Sequence, residues 1–61
     1  MTKIEVMQAV NDGRLVTLGD DPTQYLMPDM FGQLTVVSMQ PDVPVRLATR
    51  SDLRKAKIYN H

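Results

Sequence analysis

The sequence has no cysteine and no tryptophan, and its single histidine is the final residue, His61. Without cysteine, no disulfide can stabilise the chain. A structural zinc site needs four nitrogen or sulfur ligands, and the sequence does not supply them. The absence of cysteine also fits a reducing compartment, so we expect a cytoplasmic protein.

Long hydrophobic runs are missing as well. A membrane span needs about 18 or more consecutive apolar residues, and we expect no membrane association. Near the start, Glu5 and Gln8 interrupt the apolar run that a signal peptide would need. The 61 residues predict one small domain, residues 1–61. A chain of this size is marginally stable alone, so we expect either an economical core or self-association, as a homo-oligomer such as a dimer.

No group of residues forms a catalytic pattern. Ser38 and Ser51 have no base nearby, and His61, at the end of the chain, is interpreted as a solvated tail residue. Asp20 and Asp21 are adjacent but lack the spacing of a calcium loop, and we interpret them as turn residues. We therefore predict a protein that is not an enzyme, with no catalytic residue, cofactor or metal ligand.

Residues 2–12 are predicted to form a helix. Thr2 and Glu5 have the spacing of a capping box, and Gly13 is suited to end the helix with a positive φ. The apolar stripe of this helix is predicted to comprise Ile4, Met7 and Val10, with Val6 beside them.

Four segments with the branched or alternating residues of β-strands follow the helix. They cover residues 14–18, 24–27, 33–39 and 43–48. The predicted turns between them cover residues 19–23, 28–32 and 41–42. Pro44 cannot donate a hydrogen bond to a neighbouring strand, so the fourth strand should lie at a sheet edge. In that strand we expect Val43, Val45 and Leu47 to share one face and Pro44 and Arg46 the other.

The last segment, residues 49–61, allows two interpretations. As a helix it would begin with Ser51 as N-cap. As a strand, after a turn or one helical turn at residues 49–53, it would place Ala56 and Ile58 on one face and Lys55, Lys57 and Tyr59 on the other. Both alternatives stay open at this point.

Short connections favour antiparallel neighbours, and the order of elements predicts an α+β fold. We expect the N-terminal helix to pack on one face of a small, curled antiparallel sheet of four to five short strands. The predicted core comprises Ile4, Met7, Val10, Leu15, Leu34, Val36, Val45 and Leu47.

The charges are divided between the two ends of the chain. Residues 1–42 carry two basic and six acidic side chains, a net −4, and residues 43–61 carry five basic and one acidic, a net +4. Such a division usually concerns partners more than fold. The basic side chains, with one aromatic neighbour, are Arg46, Arg50, Arg54, Lys55, Lys57 and Tyr59.

This basic segment allows nucleic-acid binding, because phosphate contacts need a positive surface. A helix would align Arg50, Arg54, Lys57 and His61, whereas a strand would form a smaller platform around Tyr59. The pI of about 6.5 is low for a nucleic-acid-binding domain. The alternative is that the basic end pairs with the acidic remainder, in the same molecule or across a dimer.

Apolar residues also stand in predicted turns and edges. They are Met27, Met30, Phe31 and Met39. Met30 and Phe31 either fold back as core filler or stay exposed as the anchor of a protein interface, since methionine adapts to irregular binding surfaces.

Residues 9–16, in which an amphipathic helix leads through Gly13 and Arg14 into a strand, resemble the opening of small phage-encoded domains that counter host defences. The Ser51-Asp52-Leu53 segment is similar to the turn before their final strand. The resemblance implies a small accessory inhibitor or modulator. The tryptophans of the nucleotide-sequestering members are missing, and no binding residue is carried over.

Together these patterns predict a non-catalytic binding or regulatory protein that occupies a macromolecular partner, in the first place a protein. The candidate surface comprises Met30, Phe31, Arg46, Arg50, Arg54, Lys55, Lys57 and Tyr59. One alternative is a nucleic-acid-binding regulator that uses Arg50, Arg54, Lys55 and Lys57. The other is a sponge that holds a small molecule or nucleotide at a subunit interface.

Overall fold

The computed structural model of the chain describes residues 1–59. The elements are α1 (Lys3–Asn11), β1 (Val16–Leu18), β2 (Asp21–Pro28), β3 (Leu34–Ser38), β4 (Arg46–Leu47), α2 (Arg50–Lys55) and β5 (Ala56–Ile58). The strands form one antiparallel sheet in the order β4-β3-β2-β1-β5. The α+β prediction is confirmed, and Pro44 precedes an edge strand as expected.

Local hydrogen bonds explain why α1 starts and ends where it does. The Glu5 amide donates to Thr2 Oγ1 at 3.2 Å, and the Thr2 amide donates to Glu5 Oε1 at 2.9 Å. These two bonds form the predicted capping box and satisfy amides that the first helical turn leaves without partners. Gly13 follows the helix with φ +79°, a conformation that favours glycine.

The segment that contains α2 connects the two edge strands of the sheet. β4 and β5 lie at opposite edges, and residues 48–55 join them. β4 and β5 are not neighbours in the sheet, so the sheet is not closed into a barrel.

The core lies between α1 and the inner face of the sheet. Val6 and Ala9 of α1 are buried against strand residues. The buried strand residues of the core are Val16, Leu26, Leu34, Val36 and Ala56. Met7, Val10, Leu53 and Ile58 pack around this cluster and are partly buried.

Three residues of the predicted core are exposed, and for these the prediction is wrong. Ile4 is 70% exposed, because the buried face of α1 centres on Val6 and Ala9, and Ile4 lies roughly 200° around the helix from Val6. Val45 and Leu47 are 60% and 57% exposed. Leu15 is half-buried.

The faces of β4 are inverted relative to the prediction. Arg46 is paired with Val36, a core residue, and Leu47 is paired with Thr35 on the opposite face. Because side chains alternate along a strand, a shift of one residue exchanges the two faces. Arg46 occupies the inner side, where Asp52 binds its guanidinium.

The last segment is a helix followed by a strand, so each interpretation was right for part of it. Thr49, and not Ser51, is the N-cap of α2, because its Oγ1 accepts from the Asp52 amide. Ala56 and Ile58 of β5 then face the core, as the strand interpretation predicted. The prediction for His61 lies outside the described residues.

Two turn and strand boundaries also differ from the predictions. β2 begins at Asp21, so the predicted turn at residues 19–23 is shorter than expected. β4 has only two residues, against six predicted. Within residues 1–59, neither helix has the length and apolar composition to cross a membrane.

Candidate protein-binding surface

The turn between β2 and β3, residues 29–32, is called the hairpin tip. Asp29 organises it, because its Oδ1 accepts hydrogen bonds from the amides of Phe31 and Gln33, both at 2.9 Å. The Asp29 backbone completes the frame: its amide donates to the Gln33 carbonyl at 2.8 Å, and its carbonyl accepts from Gly32 at 3.1 Å. Gly32 has φ +78°, which any residue with a Cβ would adopt only with strain.

Met30 and Phe31 project from this frame into solvent. Met30 is 90% exposed and Phe31 is 81% exposed. The hydrogen bonds that shape the tip use the side chain of Asp29 and backbone groups, so neither apolar side chain is needed to hold the turn. The alternative that these residues fold back as core filler is therefore wrong.

A row of three paired residues crosses the outer face of the sheet from the base of the tip. Met27 is the direct partner of Thr35, and Thr35 is the direct partner of Leu47. Directly paired residues point to the same side of a sheet, so the three side chains lie on one face of β2, β3 and β4. Thr35 is buried and its hydroxyl donates to the Met27 carbonyl at 2.8 Å, whereas Met27 and Leu47 on either side are exposed apolar side chains.

A shallow groove of about 220 Å³ lies beside the tip. Its lining residues are Lys3, Gln33, Leu34, Leu47, Ala48 and Leu53. Gln33 and Leu34 follow the tip directly, and Leu53 belongs to α2. The groove therefore connects the hairpin tip with α2 over a mainly apolar lining.

Arg46, one of the candidate basic residues, is engaged in a structural ion pair. Its Nη1 and Nη2 donate to the two oxygens of Asp52 at 2.6 and 3.0 Å. The Thr49 amide and hydroxyl donate to the same carboxylate at 2.8 and 2.9 Å. The buried carboxylate thus accepts four hydrogen bonds and ties β4 to the start of α2.

These contacts shift the protonation equilibria of both partners. The pKa of Asp52 lies well below its usual range, chiefly because Arg46 donates hydrogen bonds to it, and the Thr49 donors add to the effect against the opposing effect of burial. The same hydrogen bonds raise the pKa of Arg46. The pair therefore stays charged over a wide pH range.

Lys57 is also paired within the chain. Its ammonium group contacts the carboxylate of Asp20 at the exposed side of β5. Tyr59 follows β5, is half-buried, and its amide donates to the Leu15 carbonyl at 2.8 Å.

Three candidate cations remain on α2. Arg50, Arg54 and Lys55 are exposed, and within residues 1–59 their side chains make no hydrogen bond or ion pair. Arg50 and Arg54 are four residues apart and share one side of the helix. The five candidate cations are thus divided among β4, α2 and β5.

Some residues of this surface were not recognised in the sequence. Alternation along residues 43–48 predicts Leu47 in the core, and only the inward position of Arg46 in the structure places it outside. For Asp29 the sequence predicts no more than a turn residue. The signal for its role is the spacing of Asp29 and Gly32, which is typical of turns in which an aspartate carboxylate accepts from amides two and four residues later.

Comparisons with protein-family models, with curated proteins and with solved structures find no match to this chain.

Proposed function

We propose that this chain is a small non-catalytic binding protein that occupies a protein partner, with Met30 and Phe31 as its anchor. The observation that carries the proposal is the pair of large apolar side chains, 90% and 81% exposed, on a turn shaped by other residues. Aromatic and methionine side chains of this kind dominate the energy of many interfaces when a partner covers them.

The energetic argument favours binding over exposure. Burying one such side chain contributes about 1.5–3 kcal/mol. The hydrogen bonds of Asp29 already order the turn, so little conformational entropy is lost when a partner contacts it. A preformed tip is therefore suited to enter an apolar cleft on another protein.

The surroundings of the tip indicate the chemistry of that cleft. The groove beside the tip ends at Leu53, and Arg50 lies one turn before Leu53 on the same side of α2. Lys3 lines the same groove. We propose a partner with an apolar cleft and acidic residues at its rim, and a role as inhibitor or modulator of that partner in the cytoplasm.

The experiment is affinity capture from a lysate, followed by measurement of the Kd with the purified captured protein. The Met30→Asp/Phe31→Asp double variant should bind at least about 30-fold more weakly, because two anchor side chains are lost. Circular dichroism should show an unchanged fold, since neither side chain contributes to the core.

Two control variants each place one aspartate at an exposed apolar position outside the tip. Ile4→Asp lies on α1 and Met39→Asp lies in the turn between β3 and β4, both at exposed apolar positions. Each should retain the wild-type Kd. Capture that is insensitive to the tip variant, or lost equally in the controls, would contradict the proposal.

Nucleic-acid binding is a second candidate, supported by the exposed cations of α2. It predicts an affinity that falls steeply with salt concentration and weakens in Arg54→Glu. Capture repeated after nuclease treatment separates the two candidates, because only a nucleic-acid-dependent complex would disappear. The proposal of a small-molecule sponge gains no specific observation from the geometry and stays a prediction.

A further inference from the structure

The β4 edge of the sheet has backbone groups that point away from the molecule. The Ala48 amide donates to the Leu34 carbonyl at 3.0 Å, so these two residues form a hydrogen-bonded pair. In an antiparallel ladder such pairs alternate with pairs that do not exchange hydrogen bonds. The backbone groups of Arg46 and Ala48 therefore face β3, and those of Val45 and Leu47 face outward, where the Leu47 carbonyl accepts from Arg46 Nη1 at 3.4 Å.

Pro44 affects only the side of β4 that faces β3. It lies two residues before Arg46, so its nitrogen faces β3. Because proline has no N–H, the β3–β4 ladder ends at Arg46, and this explains why β4 has only two residues. The side of β4 that points away from β3 keeps its amide donors, because these belong to Val45 and Leu47.

The outward backbone groups are accompanied by exposed apolar side chains. Val45 and Leu47 are exposed, and alternation places them on the outer face of β4 and of the residue before it. Val43 is exposed in the preceding turn, where its amide donates to the Gln40 carbonyl at 3.2 Å. Soluble proteins usually protect such an edge with charges, bulges or a covering element. Here apolar side chains and unpaired amides coincide, which is the combination that strand addition uses.

We propose that a second copy of this chain pairs antiparallel with the β4 edge, about a two-fold axis at Val45. In this register Val45 lies opposite Val45 of the second copy, and the turn that contains Val43 lies beside Leu47 of the second copy. All the side chains that meet on the outer face are then apolar. The sheets of the two copies continue into one another.

Two other registers are disfavoured. An axis at Arg46 would place two arginines directly opposite each other, about 4.5 Å apart at Cα, and like charges at that position are destabilising. An axis at Leu47 would require pairing beyond the strand, where α2 begins at Arg50. With the axis at Val45, Arg46 lies opposite Pro44 of the second copy.

The charges of the two copies complement each other in the chosen register. Asp42 lies in the turn before β4, and this register directs that turn toward Ala48 and the start of α2 in the second copy. Arg50 is the first residue of α2. Within residues 1–59 neither Asp42 nor Arg50 has an ion-pair partner in its own chain. Because of the two-fold axis, the approach of Asp42 to Arg50 occurs twice in the dimer.

Sedimentation equilibrium with charge variants at the axis tests this register. The wild type should change from 6.9 kDa to twice that mass as its concentration rises. Val45→Lys alone and Val45→Asp alone should each weaken dimerisation by more than about tenfold, because like charges meet at the axis. An equimolar mixture of the two variants should recover the doubled mass, since opposite charges then meet.

Hydrogen exchange supplies a second measurement on the unmodified chain. The amides of Val45 and Leu47 should gain protection as the concentration rises, whereas those of Arg46 and Ala48 should be protected at every concentration. A wild type that stays at 6.9 kDa up to about 1 mM, or variants whose mixture does not recover the dimer, would overturn the proposal. So would a dimer that is lost in Met30→Asp/Phe31→Asp but kept in Val45→Lys.

Discussion

The two edges of this sheet are built differently. At the β5 edge, Ala56 and Ile58 face the core, and Lys57 on the other face is paired with Asp20. At the β4 edge, Val45 and Leu47 are exposed and Arg46 is turned inward to Asp52. A charged outer face protects an edge from pairing with other chains, and an apolar one does not. The same sheet therefore has one edge protected by a charged side chain, at β5, and one edge with exposed apolar side chains, at β4, which is called the open edge.

The difference arises from where each edge residue finds its ion-pair partner. The partner of Lys57 lies before β2 on the solvent side, so the lysine stays outside. The partner of Arg46 lies on α2, on the core side of the sheet, so the arginine turns inward. Its apolar neighbours on β4 must then face solvent, because side chains alternate.

The largest expected effect is that of an aspartate introduced at the β5 edge, which is compared below with an aspartate at the β4 edge. Ala56→Asp should destabilise the fold by more than about 3 kcal/mol, because it puts an unpaired charge into the core. A small domain has only about 5 kcal/mol of stability, so much of the variant should be unfolded. Urea denaturation at a concentration at which the chain is monomeric measures this effect.

The matched variant at the open edge is Val45→Asp, which should change the free energy of unfolding by no more than about 0.5 kcal/mol under the same conditions. Equal losses of stability in the two variants would show that the edges do not differ in burial.

A smaller effect is expected when the carboxylate that turns Arg46 inward loses its charge. Asp52→Asn should lower the free energy of unfolding by about 2 kcal/mol at pH 7, because charge-assisted hydrogen bonds to Arg46 and Thr49 are weakened. Urea denaturation of both proteins at several pH values gives the difference.

The pH dependence of that difference has a defined sign. The pKa of Asp52 is lowered in the folded state, so its contribution is fully present above the unfolded pKa of about 3.9 and is lost as the pH falls toward the folded value. The gap between wild type and Asp52→Asn should therefore narrow below about pH 4. A gap that is constant down to pH 2 would exclude the carboxylate as its cause.

The smallest effect is expected for the same change at the protected edge. Asp20→Asn removes an ion pair between exposed side chains, which contributes at most about 0.5 kcal/mol. Thermal unfolding should show a shift that disappears in about 1 M salt, where charges are screened within a few ångströms. A salt-insensitive loss comparable to that of Asp52→Asn would mean that Lys57 and Asp20 hold the edge in place.

Features with short-range causes were predictable from the sequence. The capping box of Thr2 and Glu5 and the positive φ of Gly13 depend on contacts within four residues. The hairpin turn is similar, because Asp29 and Gly32 shape it locally, whereas the sequence allows both burial and exposure of Met30 and Phe31. The alternation of Ala56 and Ile58 also predicted which side of β5 would be buried.

The orientation of β4 was not predictable from alternation alone. The pattern of Val43, Val45 and Leu47 fits an inward apolar face equally well, and only the position of α2 decides between the two orientations. The T-x-x-D spacing of Thr49 and Asp52 was present in the sequence as a second capping signal. The carboxylate of Asp52 serves both this cap and Arg46, and the second role needs the folded chain.

By itself the sequence determined the α+β class, the two ends of α1 and the turn at Asp29, because neighbouring residues specify each of these. The tertiary structure decided how the charged ends are used, through pairs such as Lys57 with Asp20, 37 positions apart. It also decided which side of β4 faces the core, because Asp52 of α2 binds the Arg46 guanidinium there. That arrangement depends on how α2 packs against the core through Leu53, which alternation along β4 does not encode.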